Sequence, residues 1–125
     1  MAKILVIDDD VVLGRLYKSA LENEGHEVDM AVDGEEGLQK VKEQKPSFIL
    51  TDIMMPRMDG LTLLKKIKSQ KDTKNTPVIV MTNLNDEENI KIAKKEGALS
   101  FILKNEQGPQ EVVKLLKELL AKSAS

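Results

Sequence analysis

The sequence contains no cysteine and no tryptophan, and its only histidine is His26. Without cysteine the chain can form no disulfide, no thiolate metal site and no cysteine nucleophile. A single histidine cannot build a histidine-rich metal site either, and we assign His26 no role. Chemistry based on hard oxygen ligands therefore remains open to this chain.

Long apolar runs and an excess of one charge are also missing. The apolar run near the N terminus, residues 4–7, is far too short for a signal peptide and ends at Asp8. The 19 basic and 21 acidic residues give a formal charge of −2 and are spread through the chain. This balance indicates no nucleic-acid surface. We therefore expect a cytoplasmic protein that neither contacts DNA nor inserts into a membrane.

The composition is that of one folded domain. Of the 125 residues, 41% are apolar and 32% are charged, which is typical of a globular chain with a real core. The length is too short for two independent cores. We expect a single domain over residues 1–125, with residues 122–125 forming a frayed tail.

Short apolar segments alternate with longer segments of helical periodicity, which is the pattern of βαβ units around a parallel sheet. The predicted strands are residues 3–8, 27–31, 48–51, 78–82 and 100–103. Helices are predicted at about 34–43, 60–69 and 86–96, and from Pro109 onward. The first helix should bury one face made of Val12, Leu13, Leu16, Tyr17, Ala20 and Leu21. Right-handed crossovers then favour an α/β fold: a flavodoxin-like, doubly wound sheet of five parallel strands in the order 2-1-3-4-5, with five helices.

Polar side chains with chemical potential follow four of the predicted strands. They are Asp8 and Asp9 after the first strand, Asp52 after the third, Thr82 closing the fourth and Lys104 after the fifth. The carboxyl ends of parallel strands share one edge, where ligands bind in such sheets. This distribution predicts one site made of carboxylates, a hydroxyl and an amine.

Three carboxylates in one place require compensation. Two like charges about 4 Å apart repel by about 4 kcal/mol at an effective dielectric constant near 20. Either one carboxyl group keeps its proton or a cation lies among them, and Mg²⁺ (or Mn²⁺) suits a site with few carboxylates and a phosphate oxygen. We therefore predict a divalent metal ion bound next to Asp52.

This arrangement predicts roles for a phosphoryl transfer. Asp52 would supply the attacking oxygen, and a metal ion on Asp8 and Asp9 would contact one phosphoryl oxygen. Lys104 would neutralise a second oxygen, and Thr82 would donate a hydrogen bond to the third. Because Thr82 gains this partner only after transfer, its movement would be the trigger of a conformational switch.

Three stretches and one lysine carry a family resemblance: residues 4–10 (ILVIDDD), 51–60 (TDIMMPRMDG) and 77–82 (PVIVMT), and Lys104. With them the chain resembles the receiver domain of two-component response regulators over essentially its whole length. The resemblance implies that a histidine kinase or phosphotransfer protein phosphorylates Asp52. It also implies that Asp9 binds the metal directly, Asp8 acts partly through water, and the carbonyl of Met54 completes the set.

The resemblance also implies a switch surface and a tuned lifetime. Phe101 matches the family's aromatic switch position, on a partner-binding surface made of the fourth helix, fifth strand and fifth helix. Met54 and Leu84 occupy positions that help set the phosphoryl lifetime, and we hypothesise that these apolar side chains shield the acyl phosphate from water. Residues 99–100 lack the acidic side chains common in dimerising regulators, so we expect a monomer. Asn105 replaces the proline that usually follows the lysine.

Three alternative functions remain open at this point. Asp8 and Asp10 also fit the signature of haloacid-dehalogenase-like phosphohydrolases, as nucleophile and general acid, although the chain has no cap domain and Asp52 would have no task. An FMN carrier would need hydroxyls where the chain has three acids. A phosphorylation-independent adaptor would keep the fold alone. We favour the switch, which catalyses only its own phosphotransfer and dephosphorylation.

Overall fold

The structure, a computed structural model, describes residues 2–83, 86–104 and 108–124. Its strands are β1 (Lys3–Ile7), β2 (Glu27–Ala31), β3 (Phe48–Asp52), β4 (Val78–Thr82) and β5 (Ser100–Leu103). They form one parallel sheet in the order β2-β1-β3-β4-β5, which confirms the predicted topology. Two bounds differ from the prediction by one residue, because β1 ends before Asp8 whereas β3 includes Asp52.

The helices are α1 (Val11–Asn23), α2 (Gly34–Gln44), α3 (Gly60–Lys68), α4 (Glu87–Lys95) and α5 (Pro109–Ala124). Three of them begin at an aspartate whose carboxylate accepts a hydrogen bond from a backbone N–H in the first turn: Asp10, Asp33 and Asp59. Such caps satisfy backbone donors that have no partner inside the helix. Helix α5 extends to Ala124, into the segment 122–125 whose fraying stays a prediction.

The sheet is covered on both faces, as expected for parallel strands with nearly continuous apolar sequences. Alternate strand residues point to opposite faces, so that Val6 belongs to one core cluster and Leu5 to the other. The first cluster packs the sheet against α1 and α5, and the second packs it against α2, α3 and α4. This sandwich leaves the carboxyl ends of the strands at one open edge.

The buried face of α1 is narrower than we predicted. Tyr17 and Leu21 are buried, but Val12 and Leu16 are 70% and 52% exposed. Successive helical residues are rotated by about 100°, so both exposed residues lie about 100° or more around the helix from Tyr17. Gly14 takes the inward position instead, where an added Cβ would lie 2.8 Å from the end of the flexible Met30 side chain. The prediction that Val12 and Leu16 belong to the core was therefore wrong.

Within the described ranges, no helix combines the length and the apolar character needed to cross a bilayer.

Candidate functional site

The strand register brings the predicted residues to one edge of the sheet. Ile7 of β1 pairs with Thr51 of β3, so Asp8 and Asp52 come next to each other at the ends of these strands. Thr82 is the last residue of β4, and Lys104 directly follows β5. Asp8, Asp52 and Thr82 are all buried. The structure therefore collects at one edge the side chains that the sequence places far apart.

The amino group of Lys104 joins the two buried carboxylates. Its Nζ lies 2.9 Å from Asp52 Oδ2 and 3.1 Å from Asp8 Oδ2. Burial by itself lowers the pKa of Lys104, but the hydrogen bonds and charges of Asp52 and Asp8 outweigh burial and raise that pKa above its ordinary value. Lys104 therefore remains charged, and its position next to Asp52 suits the neutralisation of an incoming anion.

Asp8, Asp9 and Asp52 form an acidic cluster, in which one oxygen from each residue lies within 4.8 Å of the others. Burial raises the pKa of Asp8 despite its hydrogen bond from the Asp10 N–H and the nearby charge of Lys104. The Lys104 amine donates its hydrogen bond to Asp8 Oδ1, and the buried Asp8 Oδ2, although 3.1 Å from that amine, accepts no well-aligned hydrogen bond from the part of the chain that the structure describes. A buried carboxylate oxygen with this free capacity, in a set of carboxylates, fits a hard divalent cation such as Mg²⁺.

The segment between β3 and α3, residues 53–59, returns close to Asp52. Gly60 donates its backbone N–H to the Ile53 carbonyl at 2.8 Å, and a side chain at Gly60 would collide with the Asp52 carbonyl. Met54 lies in this segment with 64% of its surface exposed. Its carbonyl as a metal ligand, and its side chain as a shield, stay predictions.

An ion pair that we did not predict fastens this segment to α2. Arg57 Nε lies 2.9 Å from Asp33 Oδ2, while the Asp33 carboxylate also accepts the Glu36 N–H that starts α2. The Glu36 N–H and Arg57 hold the pKa of Asp33 below its ordinary value. Arg57 has a φ of 66°, in the left-handed region that favours glycine. A local sequence signal identifies Asp33 as a cap but reveals nothing of Arg57, which lies 24 residues away.

Thr82 has a partner that the sequence did not reveal. Its Oγ1 donates a hydrogen bond to Asp86 Oδ2 at 3.0 Å, and Asn89 Nδ2 donates to the same oxygen at 2.8 Å. In the sequence, Asp86 was simply the predicted first residue of a helix. The structure shows instead that its carboxylate connects the end of β4 to α4.

Residues 4–117 match the family model of the response regulator receiver domain. The chain belongs to this family. Receiver domains bind Mg²⁺ at an acidic pocket, and Asp8, Asp9 and Asp52 of this receiver domain form an acidic group that could hold such an ion.

Two curated regulatory proteins are similar to this chain in sequence. The chain is 34% identical over 121 residues to the alkaline phosphatase synthesis transcriptional regulatory protein PhoP of Bacillus subtilis, covering 97% of the chain and 49% of PhoP. It is 32% identical over 108 residues to the transcriptional regulatory protein AfsQ1 of Streptomyces coelicolor, covering 86% and 47%. The chain thus spans about half the length of these curated relatives.

Among solved structures, the chemotaxis response regulator CheY4 of Vibrio cholerae superimposes with a TM-score of 0.87 at 30% identity, covering 94% of this chain and 98% of CheY4. A CheY-like receiver domain protein from Methanospirillum hungatei gives a TM-score of 0.89 at 31% identity, covering 98% and 95%. These similarities confirm the fold and the family.

The remaining predicted site residues have mixed outcomes in this receiver domain. Phe101 is half-buried in β5 and packs against the second core cluster, and Lys94 Nζ lies 5.0 Å from the centre of its ring. Its role as a switch stays a prediction. Leu84 and Asn105 lie outside the described residues, so the structure says nothing about the lifetime role of Leu84 or the bond that precedes Asn105.

Proposed function

We propose that this receiver domain is a cytoplasmic signalling switch that accepts a phosphoryl group on Asp52 from a histidine kinase or a histidine phosphotransfer protein. The observation that carries the proposal is the position of Lys104, whose charged amino group bridges the two buried carboxylates Asp8 and Asp52. This amine is charged and held directly beside the acceptor, where phosphoryl transfer needs positive charge.

The transfer follows from these positions. A carboxylate oxygen of Asp52 forms a bond to phosphorus while the bond from phosphorus to the donor's histidine nitrogen breaks, which leaves an acyl phosphate here and a free imidazole on the donor. Lys104 stabilises negative charge on the phosphoryl oxygens. Mg²⁺ or Mn²⁺, held by Asp8, Asp9, Asp52 and the Met54 carbonyl, would supply further positive charge.

The structure disfavours the phosphohydrolase alternative. Asp10, the general acid of that scheme, does not belong to the acidic cluster, and its carboxylate instead accepts the Leu13 N–H at 3.1 Å to cap α1. Asp8, the nucleophile of that scheme, is fully buried and already accepts the Asp10 N–H, whereas Asp52 is slightly exposed. Asp52 is therefore the better nucleophile.

Exposed apolar side chains on α1 and after β3, the segments that follow Asp9 and Asp52 in the chain, suit a protein phosphodonor. Val12 and Leu16 on α1 and Met54 after β3 are each more than half exposed. Apolar side chains grouped at the mouth of a site commonly mark a protein-binding surface. We propose that the donor docks on these residues, whereas a downstream protein binds the surface of α4, β5 and α5 that includes Phe101. In this proposal the domain acts as a monomer and does not bind DNA itself.

The decisive experiment is labelling with a small phosphodonor, acetyl phosphate, in Mg²⁺. We expect the label on Asp52, none in Asp52→Asn, none with a chelator, and no turnover of phosphomonoesters. A label on Asp8 would refute the proposal and favour the phosphohydrolase. Failure to label any residue would favour the adaptor.

The docking surface is tested by comparing two donors. Val12→Ser should slow phosphotransfer from a donor protein at least about fivefold while acetyl phosphate labels the variant at the parent rate, because truncating an important interface side chain costs more than about 1 kcal/mol. Leu99→Ser is the matched control, since Leu99 is 52% exposed but precedes β5 at the opposite edge of the sheet. Equal slowing by both variants would remove α1 from the docking surface.

A further inference from the structure

The hydroxyl of Thr82 is committed to one partner in this structure. Thr82 is 3% exposed, and its Oγ1 donates to Asp86 Oδ2 at 3.0 Å. A threonine hydroxyl carries one hydrogen, so it donates to one strong acceptor at a time. A phosphoryl oxygen on Asp52 and the carboxylate of Asp86 therefore compete for the same hydrogen.

Asp86 lies at the start of α4 without capping it. An aspartate at this position usually accepts a backbone N–H of the first turn, as Asp33 and Asp59 do at α2 and α3. The Asp86 side chain makes no such bond, and its backbone has a φ of −102° and a ψ of 49°, unlike the extended backbone of those two residues. The carboxylate thus serves Thr82 in place of the helix.

A second donor fixes the orientation of this carboxylate. Asn89 Nδ2 donates to Asp86 Oδ2 at 2.8 Å, so the oxygen that holds Thr82 is itself held by the first turn of α4. A charged acceptor strengthens both hydrogen bonds relative to neutral ones. Thr82, Asp86 and Asn89 therefore form a continuous link from the end of β4 to α4.

We propose that Asp86 is a positioning residue that holds the Thr82 hydroxyl away from the acceptor until Asp52 is phosphorylated, an inference that rests on the proposed function. The new phosphoryl oxygen takes the hydrogen bond of Thr82, and Asp86 is then free to cap α4. The cap offsets part of the lost interaction. The same exchange changes how the first turn of α4 is anchored, next to the surface proposed for the downstream partner.

The competition fixes the direction of the mutational effects. Asp86→Ala removes the carboxylate that accepts the Thr82 hydrogen bond, so the Thr82 hydroxyl is free in a larger fraction of the molecules. The apparent affinity for a phosphoryl mimic such as beryllofluoride rises in proportion to that fraction. Losing a hydrogen bond to a charged group changes an equilibrium constant roughly tenfold or more. In the parent, the new cap of α4 by Asp86 offsets part of this loss, so the gain from removing Asp86 is smaller. We expect Asp86→Ala to tighten beryllofluoride binding about fivefold. Asp86→Asn keeps a weaker neutral acceptor and should tighten it roughly twofold.

The test titrates the full chain with beryllofluoride in Mg²⁺, a mimic of the phosphoryl group, and follows the bound probe by fluorine NMR. The same substitutions are then made with Thr82→Ala. Competition for Thr82 predicts that Asp86→Ala tightens binding in the parent but changes nothing when Thr82 is absent, whereas a purely structural effect would appear in both. Asp86→Ser, which can still cap α4, replaces Asp86→Ala if that variant does not fold.

Unchanged or weaker binding by Asp86→Ala and Asp86→Ser in the parent would overturn the proposal, as would equal tightening with and without Thr82. Absence of beryllofluoride binding to the parent itself would instead overturn the proposed function, and this inference with it. The two failures are therefore distinguishable.

Discussion

Neutralising Asp8 should stabilise this protein when no divalent metal is bound. Asp8 is fully buried, and burial is the main reason that its pKa is raised. In Asp8→Asn the amide oxygen can still accept the Asp10 N–H, which lies 2.9 Å from Oδ1, and the Lys104 amine, which lies 3.3 Å from the same atom. The substitution therefore removes a charge and keeps these two hydrogen bonds, while its amide NH2 takes the place of Oδ2, 3.1 Å from the Lys104 amine.

The magnitude follows from three charge pairs. Losing the Lys104 contact at 3.1 Å costs about 5 kcal/mol at an effective dielectric constant near 20. Losing the repulsion from Asp52, which lies within 4.8 Å, returns at least about 3.5 kcal/mol, and losing the repulsion from the exposed Asp9 returns less because water screens it. These attractive and repulsive terms nearly cancel. The sign of the change in stability is therefore decided by the fact that Asp8→Asn no longer buries a charge. We expect the free energy of unfolding to rise by about 1 to 2 kcal/mol, or about 4 °C in Tm for each kcal/mol.

The assay is urea unfolding in a chelator and again in Mg²⁺. Mg²⁺ at a hundredfold excess over its dissociation constant should stabilise the parent by about 2.7 kcal/mol and Asp8→Asn by much less, which reverses their order. Asp10→Asn is the control, because asparagine also caps a helix and Asp10 lies outside the acidic cluster. A less stable Asp8→Asn in chelator, or equal stabilisation of both proteins by Mg²⁺, would refute the reasoning.

Three further predictions concern the switch, the lifetime and pH. Phe101→Ala should weaken phosphorylation-dependent binding of an identified partner without abolishing labelling of Asp52, and equal affinity of variant and parent would exclude Phe101 from the mechanism. Met54→Ala should speed decay of the acyl phosphate if its side chain limits access of water, and an unchanged decay rate would count against shielding. Burial and the charge of the N terminus lower the pKa of His26 below 6.5, while its Nδ1 accepts the Ala2 N–H at 3.0 Å. The stability that neutral His26 contributes is therefore complete above pH 6.5 and is lost as the pH falls through the lower pKa of the folded state. The free energy of unfolding of His26→Ala should depend less on pH in this range.

Periodicity was sufficient for the fold because it reports burial directly. Nearly continuous apolar runs, such as β4, predict strands covered on both faces, and every predicted strand is within one residue of its observed bounds. Periodicity was insufficient for α1, where Val12 and Leu16 satisfy the helical pattern but face solvent. An apolar side chain that is available for a partner protein looks the same in the sequence as one that belongs to the core.

The sequence by itself determined which residues meet at the site. Polar residues that directly follow buried parallel strands must share one edge of the sheet, so Asp8, Asp52, Thr82 and Lys104 could be grouped without coordinates. This inference needs only strand direction and order. Neither depends on the details of any side chain.

Only the tertiary structure decided which atoms pair at that edge. Lys104 contacts Asp52 and Asp8 across 52 and 96 residues of sequence, and no local pattern encodes such a distance. Asp86 lies only four residues after Thr82, yet a carboxylate there can accept either the threonine hydroxyl or a backbone N–H of α4. The path of the chain and the rotamers of packed side chains choose between these partners, and both are properties of the folded molecule.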